Sequence, residues 1–163
     1  MKKYTFDAFI KANAQVVDEI RYTAWTLHEN VGQTYDENLP YGHHLSMVAD
    51  AAMKYGHEVI ENESDIIPVV FAAYFHDSIE DARLTYNDVV SIAGRFMTGE
   101  QAHTAAEIVY ALTNDKGRTR SERAGEHYYA GIRETPYAPY IKLCDRLANM
   151  TYCSGLSFLC WQS

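Results

Sequence analysis

The chain has 163 residues, 47% of them hydrophobic and 22% charged, the composition of one soluble domain that buries a sizeable core without disulfide or metal staples. Its 14 Lys+Arg against 22 Asp+Glu leave a formal net charge of -8. With no basic block, a nucleic-acid polymer or an anionic membrane surface is not the expected partner, whereas a small anion held through a divalent cation still fits.

Cys144, Cys153 and Cys160 form no CxxC pair, and Met1-Lys2-Lys3 leads into no apolar signal core. No run approaches the ~18 apolar residues of a membrane span. The expectation is a reduced, cytoplasmic protein.

Phe9, Ile10, Ala14, Val16, Val17, Ile20, Ala24 and Leu27 recur at helical spacing and predict one amphipathic helix from about Phe6 to His28. The turn formers from Gly32 to Pro40 predict a loop. Periodicity resumes through Leu45, Val48, Ala51, Ala52, Tyr55 and Val59, giving a helix over about His43 to Glu61. A third helix, from about Asp65 to Asp81 with Pro68 in its first turn, is apolar nearly all round and belongs at the centre. Thr85 and Asp88 read as a helix start leading into Val89, Val90, Ile92, Ala93 and Phe96. Gly99 separates that helix from one over Glu100 to Leu112. Residues 113 to 135 are polar, with Arg118, Arg120, Arg123 and Arg133, and read as loop or solvated helix. The last helix runs from about Pro136 to Tyr152. No strand alternation, repeat or linker appears, so the expected architecture is all-α, one domain over residues 1–163.

The segment Phe75-His76-Asp77-Ser78-Ile79-Glu80-Asp81 sets four ionisable side chains at the end of the apolar helix. On a helix His76 and Glu80 share one face and Asp77 and Asp81 the next, so all four converge on one wedge. A helix end reaching solvent is the plain alternative. The apolar flank Val69 to Phe75 opposes it, since buried charge is costly unless paired or metal-bound. Asp145 and Asn149 share a face of the last helix beside the apolar stripe Ile141, Leu143, Leu147 and Met150, either as a second candidate or as a solvated edge with a local ion pair. His43 and His44 point in different directions, so at most one joins any one site. Three segments thus offer an imidazole, an imidazole with a carboxylate, and a carboxylate, a donor set suited to Mn²⁺, Fe²⁺ or Zn²⁺. Ser78 lacks a base, the cysteines lack a Cys-His setting, and there is no Gly-rich phosphate loop, which disfavours a side-chain nucleophile and ATP-driven transfer.

Pro40-Tyr41-Gly42-His43-His44 resembles a PYxxH motif, and His76-Asp77-Ser78-Ile79-Glu80-Asp81 an HDxxED motif. Lys142-Leu143-Cys144-Asp145-Arg146-Leu147-Ala148-Asn149-Met150 resembles KLADRLxNM. In this order they resemble the HD-domain phosphohydrolases, in particular the hydrolase domain of RelA/SpoT proteins and the stand-alone small alarmone hydrolases, over about His28 to Met150. The resemblance implies an HD-domain helical bundle around a central metal site, with Mn²⁺ held by His44, His76, Asp77 and Asp145. It implies that Glu80 and Asp81 orient and deprotonate the attacking water and that Asn149 contacts the nucleotide. Lys116, Arg120 and Arg123 then face its phosphates, unless the two arginines are simply a solvated face.

The implied reaction removes pyrophosphate from the 3′ position of guanosine tetraphosphate (ppGpp). Another nucleotide phosphohydrolase of the same fold, and an inactive nucleotide-sensing module, are the alternatives. The resembling hydrolases carry an Arg-Lys pair before PYxxH, where the side chains hold the guanine nucleotide. Here Gln33 to Leu39 include no basic residue, and Tyr35 is the side chain able to stack on a base. The resembling hydrolases also continue further beyond the last motif. The uncharged run Cys153 to Ser163 is expected to pack on its own domain or against another subunit of a homo-oligomer, leaving a more open pocket.

Overall fold

A computed structural model describes residues 1–37, 39–114 and 125–160, with residues 155–160 as backbone only. The order along the chain is α1 (Lys3–Ala12), α2 (Ala14–Asn30), α3 (Gly42–Val59), a 3-10 turn (Glu63–Asp65), α4 (Ile66–Phe75), α5 (Tyr86–Ala93), α6 (Gly99–Leu112), α7 (Glu126–Glu134) and α8 (Ala138–Cys160). The fold is all-α. Among the described residues an isolated bridge between Thr34 and Pro40 stands in place of any strand. No helix among them is long and apolar enough to cross a membrane.

Every residue of α4 is buried, and the helix packs against α2, α3 and α6. Its side chains, with Phe71 and Phe75 stacked at 4.1 Å, anchor the centre of the molecule. Each fully buried Val or Phe contributes about 1.5–3 kcal/mol of transfer free energy. Two glycines of α3 set how closely its neighbours approach. A Cβ on Gly42 would sit 2.2 Å from Trp25 Cδ2, and one on Gly56 would sit 2.5 Å from Phe6 Cζ. Trp25 of α2 and Phe6 of α1 thus rest directly on α3 backbone, and the Trp25 indole adds a hydrogen bond to Ser46 Oγ at 3.1 Å.

Five local expectations are corrected. The single helix over Phe6 to His28 is two, broken at Asn13, whose amide nitrogen donates to the Phe9 carbonyl at 2.9 Å and satisfies the end of α1. The central helix ends at Phe75, not Asp81, and residues 76 to 82 form successive turns. In them Ser78 N–H donates to Phe75 O, Asp81 N–H to Asp77 O, and Leu84 N–H to Ser78 O, after Arg83 at φ 60. Gly99 is the first residue of α6 rather than a separator. Thr98 is its cap, in a reciprocal box with Gln101 like the expected Thr85–Asp88 box of α5. On α8 the buried stripe is Ile141, Cys144 and Ala148, while Leu143 and Met150 are 68% and 70% exposed. Small side chains on the inner face let α3 approach, and Tyr140 reaches across to donate to Ala52 O at 2.8 Å. α8 also continues past Tyr152 to Cys160.

Candidate metal centre and pocket

Three segments deliver the ionisable groups. His44 stands in the first turn of α3, held there by the close Gly42–Trp25 contact. His76 and Asp77 follow directly on the buried α4. Asp145 lies on α8 between the inward-facing Cys144 and Ala148.

His44, His76 and Asp145 are only 2%, 3% and 9% exposed, and each offers a ligand atom within 4.8 Å of the other two. His44 Nε2 lies 3.4 Å from Asp145 Oδ1 and 3.9 Å from Asp77 Oδ2, and His76 Nε2 lies 2.9 Å from the same Asp77 oxygen. Asp77 thus stands against the group of three but shares its oxygen with Tyr41, whose hydroxyl donates to Oδ2 at 2.5 Å. His43 is half-buried and turns its ring toward Tyr152 instead.

His76 Nδ1 faces the Ala73 carbonyl at 2.9 Å and acts as donor there, which leaves Nε2 to face the group, with a proton when no ion is bound and with its lone pair when one is. That Nε2, like Nδ1 of His44, is buried without a hydrogen-bond partner. This nitrogen and the Asp77 oxygen 2.9 Å from it can share a proton, and a divalent cation can take that proton's place between them. Two imidazoles and two carboxylates fit a divalent transition-metal ion.

The electrostatics describe an anionic pocket. Burial opposes a proton on His76, but the charges of Asp77 and Asp145 outweigh it and raise the imidazole to about 9. Burial would raise Asp77 as well. The imidazolium of His76 and the Tyr41 hydroxyl hold it well below the usual carboxylate range instead. Asp145 is likewise lowered against its burial by His44, His76 and Lys142, whose Nζ is 3.1 Å from Oδ2. Asp81, half-buried next to Tyr41, goes the other way: burial first and then the Asp77 charge push it up to about 6. Burial lifts the Cys144 thiol to about 11, so it is no nucleophile.

Beside this group opens a pocket of about 540 Å³ whose wall includes Glu80, Asn114, Tyr128, Lys142, Asp145 and Arg146. Glu80 is exposed, with both carboxylate oxygens accepting from Asn114 Nδ2 at 3.1 and 2.8 Å. Asn149 is on the same wall. Its Nδ2 donates to Asp145 Oδ1 at 2.8 Å, and its Oδ1 accepts from the Tyr35 hydroxyl at 2.8 Å. Lys116, Arg120 and Arg123 lie outside the described residues, as do the side chains of the apolar tail from Gly155 onward.

Two residues at the site, Tyr41 and His28, carry no role in the sequence reading, and Tyr35 carries a different one. Tyr41 stood in plain view inside PYxxH. His28, 1% exposed and stacked on Tyr41 at 5.1 Å, continues the buried Ile20–Ala24 stripe, and that position was its signal. Tyr35 lies not free for a base but stacked on the His44 ring at 4.9 Å and 17°. Nothing local announced that contact.

An all-α chain that gathers an imidazole, an imidazole with a carboxylate, and a carboxylate at one buried point is compatible with an HD-type metal site. Among curated proteins the chain is similar to the guanosine-3′,5′-bis(diphosphate) 3′-pyrophosphohydrolase MESH1 of Danio rerio, with 26% identity over 141 residues, 85% of this chain and 69% of that protein. It is thus a distant relative of a pyrophosphohydrolase. No family model and no solved structure matches it.

Proposed function

We propose that residues 1–163 act as one HD hydrolase domain, a Mn²⁺-dependent enzyme that removes pyrophosphate from the 3′ position of guanosine 3′,5′-bis(diphosphate). The observation that carries this reading is the buried His44, His76 and Asp145 group, with Asp77 against it, beside a pocket that holds both a carboxylate and cations. The similarity to MESH1 supports the substrate. His44, His76, Asp77 and Asp145 hold the ion. When bound, a divalent cation makes water acidic near neutral pH and polarises a phosphoryl oxygen.

The remaining steps belong to side chains. Glu80, oriented by Asn114 at the pocket wall, takes the proton of the attacking water. Asp81, beside Tyr41, orients that water. The water oxygen bonds to phosphorus as the bond from phosphorus to the 3′ oxygen breaks, and a proton returns to that oxygen. Guanosine diphosphate and pyrophosphate are the products. Lys142 and Arg146 offset substrate charge in a chain of net charge -8, and Lys116, Arg120 and Arg123 add to them.

One observation favours a second reading, hydrolysis of another nucleotide. Tyr35 and Asp36 occupy the loop where a basic pair holds guanine nucleotide in the resembling enzymes, and both are tied to α8 through Asn149 and Tyr152. A panel assay with Mn²⁺ decides between the two, following phosphate and pyrophosphate release from guanosine tetraphosphate, nucleoside monophosphates and NADPH. Pyrophosphate release from the tetraphosphate alone is the expected result. Turnover of another member of the panel in its place transfers the chemistry to that substrate. No turnover of any of them by metal-loaded protein would leave a sensing module.

A further inference from the structure

The loop between α2 and α3 is held in one shape by its own backbone. Thr34 and Pro40 pair across it, Tyr35 N–H donates to Leu39 O at 2.9 Å, and Leu39 N–H donates to Asp36 Oδ1 at 3.0 Å. Asp36 also accepts from the Tyr152 hydroxyl on α8. This frame turns the Tyr35 ring inward. It lies flat on the His44 imidazole, with Tyr152 tilted against it at 4.7 Å.

The hydroxyl of Tyr35 meets a chain of two further hydrogen bonds. It donates to Asn149 Oδ1, and Asn149 Nδ2 donates to Asp145 Oδ1, the oxygen nearest His44 Nε2. A flipped Asn149 amide would set its oxygen against the Asp145 carboxylate, so the carboxylate selects the orientation, and the phenol donates to the amide oxygen that is left facing it. With Lys142 on its other oxygen, Asp145 is then fixed from both sides. Asn149, which the motif resemblance assigns to the nucleotide, has both polar atoms engaged within the protein.

We infer that Tyr35 is a positioning residue of the metal centre. Its phenol locks Asn149 so that Asp145 presents its carboxylate to the cation, and its ring restrains the tilt of His44. This rests on the reading of His44, His76 and Asp145 as a divalent-cation site. The loop that lacks the basic pair therefore serves the metal ligands rather than a base.

The test is Mn²⁺ binding to the chelator-treated full chain, read by titration calorimetry and by the Mn²⁺ electron paramagnetic resonance signal, with no substrate present. Tyr35→Phe keeps the stacked ring and removes only the hydroxyl. Loss of an outer hydrogen-bond partner typically costs about 10- to 100-fold in metal affinity, so Tyr35→Phe is expected near the lower figure, with its apo melting temperature within about 4 °C of wild type. Asn149→Ala should lose at least as much. The double variant should lose no more than Asn149→Ala alone, because the phenol acts through the amide.

A Tyr35→Phe or Asn149→Ala protein that binds Mn²⁺ within twofold of wild type overturns the inference and leaves the hydrolase reading standing. Losses that multiply in the double variant also overturn it. A wild-type chain that takes up neither Mn²⁺, Fe²⁺ nor Zn²⁺ would overturn both.

Discussion

α4 and the loop at residues 33–40 meet at the same group of side chains but are built by different means. α4 is buried along its whole length and carries His76 and Asp77 out of an apolar core. The loop is partly exposed and keeps its shape through side-chain hydrogen bonds to itself and to α8. A change at the end of α4 leaves buried charge without a partner. A change in the loop removes hydrogen bonds from groups that water can reach, each with a net contribution of about 1 kcal/mol. His76 and Asp77, two of the four proposed ligands, thus rest on the rigid element, and the groups proposed to adjust the site rest on the softer one.

Substitutions on the rigid side should have the largest effects. Asp77→Ala removes a charged ligand, and we expect metal retention and turnover both to vanish, beyond the ~100-fold of an outer-shell change. Metal content by mass spectrometry of the purified variant checks this, and stoichiometric Mn²⁺ with normal kcat would contradict it. His44→Ala should lose Mn²⁺ affinity far more than His43→Ala, as calorimetry on the pair would show. The reverse ranking would move the ligand to the half-buried ring. Glu80→Gln should keep the metal and the fold while kcat falls on the order of 10²-fold, the scale of a general base.

Asp81 gives a pH dependence of known sign. Its carboxyl is raised to about 6, so it takes up a proton as pH falls through that value. kcat/KM should decline below about pH 6 with a slope approaching tenfold per unit, and Asp81→Asn should flatten that limb of the profile. The smallest effect belongs to the loop. Asp36→Ala removes the bonds to Leu39 N–H and to the Tyr152 hydroxyl, and should lower the melting temperature by about 4–8 °C without unfolding the domain. A collapse of the fold in this variant would erase the distinction between the two regions.

Much of the rigid side was legible in the sequence. The run Val69 to Phe75 has no polar face, which argues for His76 and Asp77 emerging from a core, and the family resemblance of the motifs implies His44 and Asp145 as their partners. Where the helix stops was not legible. The turns after Phe75 depend on hydrogen bonds back to Phe75, Asp77 and Ser78 that no periodicity reports. On α8 side-chain volume favours Leu143 and Met150 as the buried stripe, but close packing against α3 selects the small Cys144 and Ala148. The loop was least legible of all. The Tyr35–Asn149 contact joins residues 114 positions apart, and the sequence reading points each toward the nucleotide rather than toward the other.

The most direct test of the central claim, that the buried histidine and carboxylate group binds a divalent cation on which hydrolysis depends, is a Mn²⁺ titration of chelator-stripped protein during pyrophosphate release from guanosine tetraphosphate. The account predicts no release before Mn²⁺ is added, activity that saturates with the metal, and none at any Mn²⁺ level in Asp145→Ala. Undiminished turnover by the stripped chain, or by Asp145→Ala, would contradict it.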